Sequence, residues 1–245
     1  MKTRQELDKA LRQQAAESGS GNIDLIMSYA ETTAIIGNCI VVLSDMRTHR
    51  SHIFSGHLAD ELGLSGYKSE NSIWEHRLLS LMTEEAREEK YLGELCFYNF
   101  VRLKPREKRS KYFMAAPIVF TTPSGQRVDI IHRMDYMYDQ LTGAIRYAIC
   151  RYQRKWCDLP GHCIAVDSLT GKIEELTSQS DRGLLSKRES QILSLIDRGM
   201  TSMEIASMLS ISKNTVSRHR QEILAKLQVK NSLEACRMAK TIGLL

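Results

Sequence analysis

The sequence predicts an α+β protein: an antiparallel sheet with flanking helices, followed by an all-α module of four short helices. Three observations predict it. Between residues 35 and 176, apolar runs of strand length are separated by turn-forming pairs, and all four prolines fall between 105 and 160. Beyond residue 183 there is no proline, and polar helix starts recur at short intervals. The charge divides at the same place. Of 34 Lys+Arg and 29 Asp+Glu, residues 184–245 hold ten and five, which leaves 24 of each in residues 1–183. The formal net charge of +5 therefore belongs to the last quarter of the chain, the footprint of a polyanionic partner.

Composition narrows the classes further. A chain of 245 residues with 42% hydrophobic and 26% charged residues builds one or two cored domains, and it is neither disordered, collagenous nor a coiled coil as a whole. The longest apolar-leaning run, 35–43, is nine residues, against the ~20 a membrane span needs. The first residues lack an apolar signal core and the six cysteines form no regular framework, so a reduced, cytoplasmic chain is expected.

Residues 2–17 are polar and helix-prone, with apolar residues at Leu7, Ala10, Leu11 and Ala15; Gly19, Ser20 and Gly21 then break the chain. Ile23–Thr33 reads as a second helix, with Ile23, Ile26, Met27 and Ala30 on one side. This segment, 1–34, is either a dimer contact or a cap on the next domain. From there Ile40–Leu43 is a buried strand ending at Ser44-Asp45, Arg47–Arg50 a bend and His52–Ser55 its partner. Leu58–Leu64 is a short helix stopped by Gly63 or Gly66. Residues 73–100 hold a helical stretch through Leu78, Leu79, Leu81, Met82 and Ala86, then Tyr91–Val101.

A meander follows: Tyr112–Phe120, the turn Thr122–Gly125, Val128–Tyr138, the turn at Thr142-Gly143, and a strand in which Ile145, Tyr147 and Ile149 alternate with Arg146, Ala148 and Cys150. Cys163–Val166 and Lys172–Leu176 form an extra hairpin about Leu169-Thr170-Gly171. Residues 177–183 (TSQSDRG) have linker composition.

The succession of two strands, short helices, a longer helix and an antiparallel meander resembles the PAS sensor-domain family. The residues that carry the resemblance are Ile40–Asp45, Ile53–Ser55, Leu58–Ser65 and 112–153. It implies a PAS-like domain over 35–176, extra hairpin included, that senses a small-molecule or protein signal or mediates dimerisation.

In residues 184–245, Ser186-Lys187-Arg188-Glu189 and Thr201-Ser202-Met203-Glu204 are capping boxes, in which the first side chain accepts from the N3 amide and the Glu reaches back. Ile192, Leu193 and Ile196 form the stripe of the first helix, stopped by Gly199. Ile205, Ala206 and Leu209 belong to the second. Ser212 caps a third helix, Lys213–Leu227, and Asn231–Glu234 starts a fourth, Leu233–Ile242. On the third helix Val216, Ile223 and Leu227 align on one side. Asn214, Ser217, Arg218 and Gln221 line the other at i, i+3, i+4 and i+7. That apolar-free face carries the side chains that bond base edges: Arg suits guanine, Asn and Gln adenine, Ser either. Helices 201–209 and 213–227, joined by a three-residue turn, make a helix-turn-helix.

Residues 185–235 are similar to the LuxR-type helix-turn-helix family. The match runs through Leu185-Ser186, Arg188-Glu189, Ile192-Leu193, Gly199, Thr201-Ser202, Glu204–Ala206, Leu209, Ile211-Ser212, Thr215-Val216, His219-Arg220, Ile223, Lys226-Leu227, Val229 and Glu234-Ala235. The resemblance implies a four-helix domain that binds double-stranded DNA as a homodimer, with helix 232–242 as the contact. The family often has Lys after the Thr-Val pair; Ser217 stands there instead and should change base preference. Asn214, Ser217, Arg218 and Gln221 are the expected base readers. Thr201, Ser202, Lys213, Thr215 and Arg220 are the expected phosphate contacts, and His219 packs or touches a phosphate.

Other constellations fall short. Gly37-Asn38-Cys39 lacks the continuation and the helical setting of a flavin-adduct cysteine. His49, His52 and His57, and the set Cys150, Cys157, His162 and Cys163, contain no Cys-x-x-Cys or His-x-x-x-His pair, so neither a metal nor a cofactor is expected. His57, His76 and His132 are interchangeable as haem ligands from sequence. A phosphorylated receiver domain would alternate strands and helices, and no P-loop or triad is present, so an enzyme is not expected. The whole reads as a sequence-specific transcriptional regulator. Its rivals are a sigma-factor-like initiation protein, whose partner domain would be helical and basic, and an enzyme with a DNA-binding tail.

Overall fold

A computed structural model describes residues 2–12, 23–176, 185–227, 229–241 and 245. The 177–183 linker, the break at Gly19–Gly21 and Ala15 lie outside them.

Six consecutive buried residues form β1 (Ile40–Asp45). Burial on both faces explains why its first four residues, Ile40–Leu43, are all apolar rather than alternating. Around it lie β2 (Arg50–Ser55), β3 (Ser69–Glu70), β4 (Tyr112–Thr121), β5 (Arg127–Tyr138), β6 (Ile145–Arg154), β7 (Ile164–Asp167) and β8 (Ile173–Glu175). They make one sheet in the order β3-β2-β1-β6-β5-β4-β7-β8. Every neighbouring pair is antiparallel, with Val42 opposite both Ile53 and Cys150, and Met134 opposite Cys150.

Helices cover both faces. Ile40 and Val42 join the main core with α3 (Leu58–Glu61), α4 (His76–Leu79) and α5 (Glu84–Arg102), while Cys39 and Val41 meet Ala30 and Ala34 of α2 (Ile23–Ile36). The first helix, α1 (Lys2–Arg12), buries Leu7, Ala10 and Leu11 in the main core, and Asp8 accepts from the Trp74 indole N–H at 3.1 Å. α1 thus packs on the core of the first domain.

Two expectations need correction. The helical stretch 73–100 is interrupted: α4 ends at Leu79, and Thr83 starts α5 afresh by accepting from the Ala86 N–H at 3.2 Å. In β6 the residues facing the main core are Ile145, Ala148, Cys150 and Tyr152, and Ile149 faces α2 instead. A register irregularity at Met137/Tyr138 pairs Tyr138 with Ile145 and Met137 with Tyr147, leaving Arg146 as the extra residue. A bulge reverses the alternation on either side of it. The Arg146 side chain pairs with the buried Asp45, and Asp45 also accepts from the Arg47 and Thr48 amides at 2.8 and 3.2 Å.

After the linker come α6 (Lys187–Asp197), α7 (Ser202–Met208), α8 (Lys213–Leu227) and α9 (Ser232–Thr241). They close over a separate core that includes Ile192, Leu193, Ile205, Val216, Ile223 and Leu227. Both capping boxes form: Ser186 and Thr201 accept from Glu189 and Glu204 amides at 3.2 and 3.4 Å, and the two carboxylates accept back at 2.6 and 2.7 Å. Gly199 ends α6 at φ +82°, a left-handed conformation that a side chain would oppose.

Candidate nucleic-acid interface

The turn between α7 and α8 decides how the second helix is presented. Leu209 closes α7 and Ser210 takes φ +52°. The Ile211 amide then donates back to the Ala206 carbonyl at 3.0 Å, and Ile211 packs on the domain core. Ser212 accepts from the Thr215 amide at 3.0 Å and starts α8, as its position predicts. Asn231 does the same for α9, accepting from the Glu234 amide at 2.9 Å.

The apolar side of α8 is fully engaged: Val216, Ile223 and Leu227 are each at most 1% exposed. Asn214, Ser217, Arg218 and Gln221 are all exposed, so the structure brings the four onto one free face. Arg218 is held there. Its Nε donates to Glu222 at 2.9 Å, and His219 Nδ1 lies 3.1 Å from the other carboxylate oxygen. The Arg218 bond keeps the Glu222 carboxyl below its usual range.

The five expected phosphate contacts divide. Lys213 and Thr215 are exposed at the α8 N-terminus, where free amides add to the attraction for an anion. Thr201 donates its hydroxyl to Glu204 at 2.8 Å within its capping box. Arg220 is half-buried and bridges neighbours, donating to Ser202 on α7 and to Ser232 on α9, both at 2.9 Å. Its guanidinium is a tie between three helices, which spacing along α8 does not reveal. Sequence reasoning also missed the tie between α6 and α8: Lys226 donates to the buried Glu189 at 2.6 Å. Burial alone would raise the Glu189 carboxyl, but the bonds from Lys226 and the Ser186 amide outweigh it and lower it.

Residues 183–239 match the family profile described as "Bacterial regulatory proteins, luxR family". The C-terminal domain is of the LuxR type. Among curated proteins, the "Uncharacterized response regulatory protein YgeK" of Escherichia coli is 40% identical over 78 residues, 31% of this chain and 53% of that protein. The "Transcriptional regulatory protein DesR" of Bacillus subtilis is 39% identical over 71 residues, 29% of this chain and 35% of that protein. The chain thus spans about half the length of the first and about a third of the second. These stretches are only long enough for the LuxR-type domain and its margins. Among solved structures, the "phage VqmA-DPO complex" is 14% identical, with a TM-score of 0.31 over 91% of this chain and 88% of that one. A TM-score of that size assigns no fold to residues 1–176.

In the first domain the sequence-marked histidines and cysteines separate. His57 and His76 are exposed by 95% and 50% of their side chains, whereas His132 is completely buried. Cys150 is not grouped with Cys157, His162 and Cys163. Its thiol lies with Glu94 and His132, a convergence of α5, β5 and β6 that no spacing announces.

Proposed function

We propose that the chain is a sequence-specific DNA-binding transcriptional regulator, working in the cytoplasm as a homodimer. In this reading its PAS-like domain, 35–176, receives a signal or holds two copies together. The observation that carries it is the exposed, apolar-free α8 face of Asn214, Ser217, Arg218 and Gln221 on a LuxR-type domain. These are the side-chain types that read base edges in a major groove. The excess positive charge of residues 184–245 supplies the sequence-independent attraction, which makes binding strongly salt-dependent.

The half-site geometry of helix-turn-helix binding supports the dimer, as does the resemblance. One α8 reads one half-site, and two copies read half-sites about one helical turn (~34 Å) apart. Leu233 of α9, 62% exposed, is an apolar residue free to meet a second copy. A signal that alters the spacing of two recognition helices changes affinity without touching them. The order of strands, short helices, long helix and meander supports the PAS-like reading. So does a cavity of about 350 Å³ between α5 and β4, bounded by Gly161–Cys163, which is the size of a small-molecule site. The eight-stranded sheet is unlike the helical, basic partner domain that a sigma-like protein requires. No helix among the described residues is long and apolar enough to cross a membrane.

Selection of bound sites from a random DNA pool tests the proposal. A two-part motif is expected. On that motif Arg218→Ala should lose about 1–3 kcal/mol and relax preference at one base pair, as removal of a bidentate contact does. Lys213→Ala should weaken specific and random DNA alike. No enriched motif, or equal losses on specific and random DNA for Arg218→Ala, overturns the base-reading assignment.

A further inference from the structure

Beneath α1, the first domain buries a cluster of charge that the DNA-binding reading does not use. Lys90 of α5 lies 2.6 Å from Glu94 and 3.2 Å from Glu75, and all three side chains are at most 4% exposed. Tyr152 donates its hydroxyl to Glu75. Two carboxylates thus converge on one buried ammonium.

His132 is the second anomaly. It is fully buried on β5, its ring is stacked on Tyr152 at 4.7 Å and 5°, and neither ring nitrogen has a hydrogen-bond partner. Buried side-chain polar atoms nearly always have a hydrogen-bond partner, and this imidazole, held in a fixed plane, has none. Its Nε2 lies 3.8 Å from Glu94 Oε1. The Cys150 thiol completes the group: one oxygen of Glu94, one nitrogen of His132 and Sγ of Cys150 lie within 4.8 Å of one another.

We propose that Glu94, His132 and Cys150 form a binding site for a borderline divalent transition metal of the zinc class, with one coordination position left open. Tetrahedral zinc bonds would hold such donors roughly 3.3–3.6 Å apart, so the side chains close on an ion by small movements. A thiolate and an imidazole beside one carboxylate select this class over calcium or magnesium, which prefer oxygen donors. Binding releases the Cys150 thiol proton, so the divalent ion meets two anionic donors, the Glu94 carboxylate and the thiolate, while Lys90 keeps its pairing with Glu75. The open position has room. A cavity of about 20 Å³ borders Glu94 and Cys150, enough for one water, with Leu7 and Leu11 of α1 along its wall. Bound metal ties α5 to β5 and β6 and makes the stability of the first domain depend on metal.

The test uses the full, reduced chain stripped with a chelator and titrated with Co²⁺. The expected result is a thiolate-to-cobalt charge-transfer band saturating at one ion per chain and displaced by Zn²⁺. Cys150→Ser should abolish the band, whereas Cys157→Ser and Cys163→Ala should keep it. His132→Gln should weaken binding by more than about tenfold, the smallest loss typical of disturbing even an outer partner. No band, or a band that survives Cys150→Ser, overturns the proposal. If the variants do not fold, zinc X-ray absorption on the wild-type chain decides. One sulfur with nitrogen and oxygen neighbours supports the site; no sulfur, or two or more, overturns it.

Discussion

Replacing Arg220 with Ala separates two roles that position alone confuses. In the structure its guanidinium makes one bond to Ser202 and one to Ser232, both 2.9 Å, joining α8 to α7 and α9. Hydrogen bonds to a charged group contribute about 1.5–3 kcal/mol each. Ser202, Arg220 and Ser232 are all half-buried, so water can replace part of what is lost, and the lower end applies to each bond. Arg220→Ala should therefore destabilise the LuxR-type domain by about 2–3 kcal/mol. Tryptophan fluorescence will not see this, because both tryptophans, Trp74 and Trp156, precede residue 184. Hydrogen exchange followed by mass spectrometry on peptides from α6 and α8 reads it directly. Protection should fall by about 30- to 150-fold. Arg220→Lys should recover little, since one ammonium cannot reach two hydroxyls in the geometry of a planar fork. Unchanged protection, together with a drop of about 0.9 in the salt-dependence slope of DNA binding, would refute the tie and restore Arg220 as a phosphate contact.

Glu222→Gln should free Arg218 and remove a negative charge beside the reading face. Affinity for specific and random DNA, read by fluorescence anisotropy, should then rise about two- to threefold, and a loss would contradict the pairing. The Glu189 carboxyl sits below its usual value in the folded domain, so its contribution is complete above the ordinary glutamate value of 4.5 and is lost as pH falls through the folded one. Lys226→Met should move that loss to higher pH in an acid titration followed by circular dichroism; an unmoved acid limb counts against the bond. Gly56→Ala places a Cβ 2.5 Å from the Ala34 carbonyl oxygen and 2.9 Å from Asn38 Cα, both backbone atoms at the α2–β1 junction. It should cost about 1–3 kcal/mol in thermal unfolding read by tryptophan fluorescence, and a neutral result would mean that the junction yields.

The two domains differ in how far their residues disclose them. In 185–241 the caps at Ser186, Thr201, Ser212 and Asn231, the stop at Gly199 and the two sides of α8 all stand where the residue pattern puts them. Each depends on contacts three or four residues apart, so a short window contains both partners. In the first domain seven of the eight strands start within about two residues of where the pattern puts them, and the two-residue β3, Ser69–Glu70, has no signal of its own. The side each residue faces is less legible, because the irregularity opposite Arg146 moves Ile149 off the core face and puts Cys150 onto it.

The chain's own order of residues thus declares a LuxR-type domain, its outward face and the positive charge that accompanies it, since helix periodicity and capping are local. What required the folded molecule is everything built across distance. Arg220 becomes a tie because α7 and α9 arrive on either side of it. Glu94, His132 and Cys150 become neighbours because β5 and β6 pair beneath α5, bringing together positions as much as 56 residues apart in the numbering. Long-range proximity is set by which strands pair and in what register, and no local pattern of side chains encodes that.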